Sequence, residues 1–351
     1  MMRAVVDLDA TSLALALREA GLVGSHAVPL LRAFYAGAGE IDFPQLNVGP
    51  RVEGWLRRNV PLRRGNLRTC VGSADGTTKL LVGYADGGAV ESVLMPSFRP
   101  DRAAGCVSSQ IGCAMGCDFC ASTRRGLERN LEAGEIIEQF LHLKAHAAGL
   151  GRRITSLVFM GMGEPMHNLD NVMIAIERIA HPQMGALGWR QITVSTVGIV
   201  PGIDRLADAD LNVHLALSLH APDDETRGRI VPSNRRYPVA DIMAAARRFE
   251  AKTRRIPTIE YCMLAGVNDS DDHARMLCGL MSGFRAHVNL IPYNFSGAGL
   301  SGIVYRKPAE QRVGAFLEIL RAGGVVAHRR VTRGDDVNAA CGQLRETQFA
   351  G

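Results

Sequence analysis

Lysine is nearly missing from this chain. Of its 40 basic residues only Lys79, Lys144, Lys252 and Lys307 are Lys, which leaves 36 Arg. Long apolar runs are missing too. No stretch reaches the roughly 20 residues that a membrane-spanning helix needs, so no membrane partner is expected. The opening stretch MMRAVVDLDATSLALALREAG carries acids inside its apolar part. A secretory signal does not, and a cytoplasmic location is expected. No short repeat or low-complexity segment appears. The cysteines also lack the even scatter of a disulfide framework. Five of the eight fall at Cys106, Cys113, Cys117, Cys120 and Cys341, with Cys70, Cys262 and Cys278 apart. In a cytosolic chain of this size, close-set Cys favour metal binding or catalysis.

What is present fits a globular enzyme. The 351 residues are 47% apolar, enough for one large domain and a small one around a sizeable core. The net charge is +5. Arginine grips phosphate with two parallel hydrogen bonds and stacks on bases, which suits RNA. A GC-rich genome, which spells basic residues as Arg, accounts for the same bias.

The chain divides into three expected segments. Residues 1–65 read as helical, with apolar spacing at Leu13, Leu15 and Leu17 and at Leu30, Leu31, Phe34 and Tyr35. Residues 66–98 hold two alternating runs, 79–84 and 89–95, around an Asp-Gly turn, the signal of a β-hairpin. From 99 to 345, strand-like runs at 103–110, 155–160, 191–196, 213–219, 258–264, 287–291 and 325–331 alternate with helix-like ones. Repeated βα units imply parallel strands with crossover helices. The count predicts an α/β fold, a partial (β/α)6 barrel, with its site at the carboxyl ends of the strands.

The densest chemistry is GCAMGCDFC over residues 112–120, a C-x3-C-x2-C pattern on a βα loop. Three thiolates can hold three irons of a 4Fe-4S cluster and leave the fourth open to a small molecule. Zinc or buried structural thiols are the other readings. Zinc usually takes four ligands in two pairs, and no nearby C-x2-C or His pair supplies a fourth. Three Cys with an open iron resemble the radical SAM superfamily, in which that iron holds S-adenosylmethionine (SAM). Next comes MGMGEP over 160–165. Gly163 permits close backbone approach and Glu164 can accept from an ammonium group. Alone, this run reads equally as a turn. Three further strand ends carry polar residues: Ser195, then the run Ser218-Leu219-His220, then Asn294. Each could contact a ligand carboxylate, ribose or adenine, or cap a turn. Cys341 is flanked by Ala340 and Gly342, open to a partner as a nucleophile must be.

Together the runs CVSSQIGCAMGCDFC, MGMGEP, TVST, SLHA and RGDDVNAACGQL resemble the RlmN/Cfr family of radical SAM RNA methyltransferases, over residues 88–345. The resemblance implies that Cys113, Cys117 and Cys120 hold one 4Fe-4S cluster. It implies contacts to SAM from Gly163, Glu164, Ser195, Ser218, Leu219, His220 and Asn294. Two SAM are consumed per turnover. Cys341 takes a methyl group from one. A radical from the other then lets that carbon attach to an electron-poor adenine carbon. Cys106 resolves the adduct, leaving a transient disulfide with Cys341, and Glu91 matches the family's proton acceptor. Without the resemblance, Glu91 reads as a solvated strand residue. The implied product is a methyl group on C2 of adenosine in 23S ribosomal or transfer RNA, with electrons from a donor such as flavodoxin or ferredoxin. C8 methylation, a non-RNA substrate and a non-enzymatic cluster or zinc module are the alternatives. The chain departs from the family pattern in its first 60 residues, at Phe295 after Asn294, and in the basic run 123–126. These departures bear on the RNA target.

Overall fold

The computed structural model describes residues 4–344. The outermost expected positions, 1–3 and 345, lie outside the described residues. Three helices come first: α1 (Ala10–Glu19), α2 (Ala27–Ala36) and α3 (Pro50–Asn59). Asp9 caps α1 by accepting from the Ser12 amide at 2.7 Å. Leu13 and Leu17, one turn apart, are buried, while Leu15 points outward. The helical unit is fastened to the rest of the chain at several points. Arg178 donates through Nη1 to the Val6 carbonyl at 3.0 Å. Lys144 donates to the Tyr35 carbonyl at the end of α2, at 2.7 Å, where a cation suits the helix dipole. One hydrophobic core runs from Val5 through the helices into the rest of the chain.

Next come β1 (Gly65–Gly72), β2 (Thr78–Tyr84), β3 (Ala89–Pro96) and β4 (Arg102–Cys106). A small pair comes after them, β5 (Gln110–Gly112) and β6 (Leu127–Asn130). Then the βα units run α4 (Ala133–Gly149), β7 (Arg153–Phe159), α5 (Leu169–Ala180), β8 (Ile192–Thr196), α6 (Val200–Asp208) and β9 (His214–Ser218). They end with α7 (Asp224–Ile230), α8 (Val239–Thr253), β10 (Thr258–Met263), α9 (Asp271–Met281), β11 (His287–Pro292), α10 (Glu310–Ala322) and β12 (Ala327–Arg329).

Ten strands form one sheet in the order β1-β2-β3-β4-β7-β8-β9-β10-β11-β12. The first four pair antiparallel, and from β4 onward all pairs are parallel. Among the described residues the two end strands do not pair, so the barrel is partial, as expected from the sequence. Among the same residues no helix is long and apolar enough to cross a membrane.

Two strand readings change. The expected hairpin is β2 with β3, and β1 adds a third strand. β1 is an edge strand, half-buried at most, with a register slip between Leu67 and Thr69. A strand wet on both faces carries no alternation for a sequence to display. The run 103–110, expected as one strand, splits after Cys106. The Val107 amide still donates to the Val158 carbonyl at 3.0 Å, but at Ser108 side chains take over. The Ser108 amide donates to Gln139 Oε1 at 2.8 Å, and Ser108 Oγ donates to the Glu91 carbonyl at 2.7 Å. This breaks the ladder and lets the Cys loop lift off the barrel.

Arg227, fully buried, fastens the strand ends that face this loop. Its guanidinium donates to the carbonyls of Leu219 (2.9 Å) and Val197 (2.5 Å) and to Asn234 Oδ1 (2.9 Å). Arg227→Met strands these buried acceptors, each worth about 1–3 kcal/mol. The variant is expected to lose about 3 kcal/mol or more in urea unfolding of the iron-free protein. A loss below about 1 kcal/mol would contradict this role.

Candidate active site

The three clustered thiols sit on a loop that leaves β5 through Gly112. That residue has φ +72°, and a Cβ there would collide with the Gly126 carbonyl, so only glycine fits. The Cys113 amide donates to that carbonyl at 2.8 Å, and the Asp118 amide donates to the Ile230 carbonyl at 2.9 Å. Asp118 anchors the loop from the other side, accepting from Ser301 Oγ at 2.5 Å and Tyr305 OH at 2.6 Å. Burial pushes the Cys113 thiol up to about 12 and raises Cys117 and Cys120 as well. A dry pocket disfavours free thiolates, and bound metal reverses that preference. Among the described residues no three His, Cys, Asp or Glu side chains converge on a single ion. The three thiols border one cavity instead, which is what a cluster with one thiolate per iron asks of them.

That cavity opens at the carboxyl ends of the barrel strands. It is lined by Cys113, Cys117 and Cys120 and by Gly163, Glu164, Ser195, Ser218, His220 and Cys341. Gly163 has φ +96°, and a Cβ would press on Gln110 at 2.5 Å. This brings Glu164 inward. Its carboxylate accepts from the amides of Met166 (3.0 Å) and Val197 (2.9 Å), yet burial still pushes it up to about 7. Ser195 and Ser218, on adjacent strands, bring their hydroxyls within 3.4 Å. His220 packs edge-on against Phe119, and its Nδ1 accepts from the Cys262 amide at 3.0 Å. Burial lowers the His220 imidazole to about 3, so it is neutral, and with Nδ1 accepting, its proton sits on Nε2.

Not every expected ligand contact lies there. Leu219 turns its side chain into the core, and its carbonyl is taken by Arg227. Asn294 lines a second cavity and donates to the Cys341 carbonyl at 3.5 Å. This second cavity also holds Cys106, Met160, Arg330 and Cys341. Cys341, Met160 and Arg330 thus border both spaces. Cys106 and Cys341 are free thiols, and burial pushes Cys106 up to about 12.

The segment carrying Cys341 is strapped down at both ends. The Gly334 amide donates to Asp75 at 3.0 Å, and Ser73 Oγ donates to Asp336 at 2.5 Å, both from the β1–β2 turn. On the other side the Ala121 amide donates to the Gly342 carbonyl at 2.7 Å, and Ser122 Oγ to that of Leu344 at 2.6 Å. Gln343 bridges within, donating to Asp335 at 2.7 Å.

Glu91 lines neither of these two cavities. It is fully buried on β3 and pairs with Lys79 on β2 at 3.0 Å. Val93 lies opposite Cys106 in the ladder, so Glu91, Val93 and Cys106 share one sheet face. Lys79 also reaches the Asn338 carbonyl at 3.4 Å, in the Cys341 segment. Sequence reasoning missed Lys79, Arg330, Cys262 and Glu260. Glu260 carried a signal, as a charge inside an apolar strand. Arg330 carried none among so many arginines.

A radical SAM superfamily profile matches residues 107–277 of this chain. A probable dual-specificity RNA methyltransferase RlmN 1 from Opitutus terrae is 52% identical, over 98% of this chain and 97% of its own length. A probable dual-specificity RNA methyltransferase RlmN from Thermus thermophilus is 46% identical, over 87% of this chain and 85% of its own. The crystal structure of a radical SAM methyltransferase from Sphaerobacter thermophilus superposes with a TM-score of 0.91 at 41% identity, covering 98% of this chain and 99% of that one.

The buried Lys79–Glu91 pair yields a test. Removing one partner of such a pair costs about 3–5 kcal/mol, because the other charge is left in low dielectric. Glu91→Ala is expected to lose that much in urea unfolding, and Lys79→Met/Glu91→Leu to recover most of it. Equal losses in the two proteins would show that packing, not the ion pair, dominates.

Proposed function

The chain belongs to the RlmN family, and on that premise we propose that it is a radical SAM RNA methyltransferase placing a methyl group on C2 of an adenosine in ribosomal or transfer RNA. The observation that carries this reading is the position of Cys341. It borders the cavity with the three clustered thiols and also the cavity with Cys106. A methyl carrier must stand in that place, reachable from the radical source on one side and from the base on the other. C2 is preferred to C8 because the resemblance ties C2 to RlmN, and relatives at 41% to 52% identity carry that name.

When bound, a 4Fe-4S cluster on Cys113, Cys117 and Cys120 supplies the electron, drawn from a donor such as flavodoxin or ferredoxin, that cleaves SAM to a carbon radical. Glu164 holds the SAM ammonium group, with Gly163 clearing the approach. Ser195, Ser218 and His220 meet its carboxylate, ribose and adenine, while Leu219, turned into the core, only spaces Ser218 from His220, and Asn294 adds a contact from the second cavity. Cys341 takes a methyl group from one SAM and delivers its carbon to the base, so two SAM serve each turnover. The target carbon is electron-poor, so a polar methyl transfer to it fails and radical addition is needed. Cys106, as a thiolate, then attacks the Cys341 sulfur: an S–S bond forms as the sulfur–carbon bond to the base breaks, and the freed carbon keeps that electron pair and takes a proton to become the methyl group. Glu91 is the proposed proton acceptor, supported by the sheet face it shares with Cys106. The reading sets the enzyme in the cytoplasm, and its 36 Arg suit an RNA substrate.

The direct test is anaerobic reconstitution with iron, sulfide, SAM and RNA lacking the modification, followed by nucleoside mass spectrometry. The expected product is 2-methyladenosine. Cys341→Ala is expected to form none while still cleaving SAM, and Cys106→Ala to retain RNA as a covalent adduct on denaturing gels. Finding 8-methyladenosine, or full product from Cys341→Ala, would overturn the reading.

The pH response stems from Glu164. Its carboxyl titrates near 7 in the ligand-free site, up from 4.5, chiefly through burial. As pH falls through about 7 it gains a proton and loses the charge that an ammonium group requires. SAM affinity is therefore expected to weaken toward about tenfold per pH unit below about 7. Glu164→Gln should abolish that slope. An equal dissociation constant at about pH 8 and about pH 6, one unit either side of that titration, in the unmodified protein would contradict it.

A further inference from the structure

One buried acceptor in the first cavity has no role so far. Glu260 lies on β10, is 4% exposed and lines the space shared by Glu164, Ser218 and His220. Its Oε1 accepts from Asn289 Nδ2 at 3.1 Å. Among the described residues its Oε2 has no hydrogen-bond partner. The cation paired with it, Arg330, holds Nη1 3.9 Å away. That distance offsets charge but is too long for a hydrogen bond. A buried carboxylate oxygen without a donor is costly, so its lone pairs await a ligand or a water.

The surroundings say which ligand. Glu260 pairs in register with Ser218 on β9 and with Asn289 on β11, so all three project from one face of the sheet. They form a polar row across an apolar barrel. A carboxylate only accepts, so its partner must bring an O–H or N–H. Of the groups on SAM, the ammonium faces Glu164, while the sulfonium and the carboxylate carry no donor. The ribose hydroxyls and the adenine amino group remain. Two adjacent hydroxyls match two adjacent acceptors, Glu260 Oε2 and Ser218 Oγ, as a Glu or Asp serves ribose in dinucleotide sites.

We infer that Glu260 accepts a hydrogen bond from a ribose hydroxyl of SAM. The inference rests on the reading that this cavity holds SAM. Arg330, whose Nη1 lies 3.9 Å from the same oxygen, then acts as a positioning residue that offsets the charge of Glu260. The same arginine borders Cys341 in both cavities, so the contact links the seat of the nucleoside to the methyl carrier.

The test is equilibrium binding to the anaerobically reconstituted protein, using SAM, its 2′-deoxy and 3′-deoxy analogues, and the analogue with a 6-oxo group in place of the adenine amine. The unmodified protein is expected to bind one deoxy analogue about tenfold or more weaker than SAM, the value of one charge-assisted hydrogen bond. Glu260→Gln is expected to bind SAM weaker by a similar factor, and to lose less than about threefold further when that same hydroxyl is removed. Equal binding of SAM and both deoxy analogues by the unmodified protein overturns the inference without any variant. So does a Glu260→Gln protein that binds SAM normally, which would mean that a water occupies Oε2. A penalty that Glu260→Gln removes only for the 6-oxo analogue overturns it in favour of the adenine amine. If the unmodified protein binds no SAM at all, the reading of the cavity falls together with the inference.

Discussion

The site depends on where Cys341 is held. Its loop lies beyond the last strand, and among the described residues it has no sheet partner. Two sets of hydrogen bonds fix it, from the β1–β2 turn through Asp75 and Asp336 and from the cluster loop through Gly342 and Leu344. These reach across the open side of the barrel and set one thiol between two cavities. The partial barrel leaves the gap, and the accessory strands supply the anchor. Strands that look like decoration on the amino-terminal side thus determine the geometry of a residue near the carboxyl end.

Burial is the second constraint. The thiols, Glu164 and His220 are all shifted toward their neutral forms by the dry cavity. Neutral imidazole donates at one nitrogen while its other is fixed by the Cys262 amide. Glu164 waits for a cation, and the thiols wait for metal. Such a site gains its charges from what it binds, and low dielectric makes each pairing strong once formed. The proposed contact of Glu260 obeys the same logic, with one oxygen satisfied by Asn289 and the other kept for the ligand.

Much of this was legible in the residues. The βα alternation foretold the partial barrel because buried parallel strands and amphipathic helices leave distinct apolar periods. The spacing of Cys113, Cys117 and Cys120 marked the loop, and Gly163 with Glu164 marked the second strand end. Strand β1 was not legible, since an edge wetted on both faces has no period. The break after Cys106 was hidden because Ser108 and Gln139, far apart in sequence, settle it through a side-chain bond. Glu91 read as a solvated strand residue apart from its family resemblance, yet it is buried against Lys79, a pairing that depends on strand register.

The sequence by itself determined the chemical parts: three thiols at cluster spacing, a carboxylate beside a permissive glycine, and a cysteine between small neighbours. Local spacing suffices there, because each element needs only its own few residues. Only the tertiary structure decided how they combine. It put Cys106 and Cys341 on one cavity and Asn294 with them rather than with Glu164. It also put Glu260 and Arg330 beside the thiol, roles no motif announced. Those placements come from pairing register, from the open side of the barrel and from hydrogen bonds spanning about 260 residues between the β1–β2 turn and the last loop. Contacts that distant leave no period in a sequence for spacing to reveal.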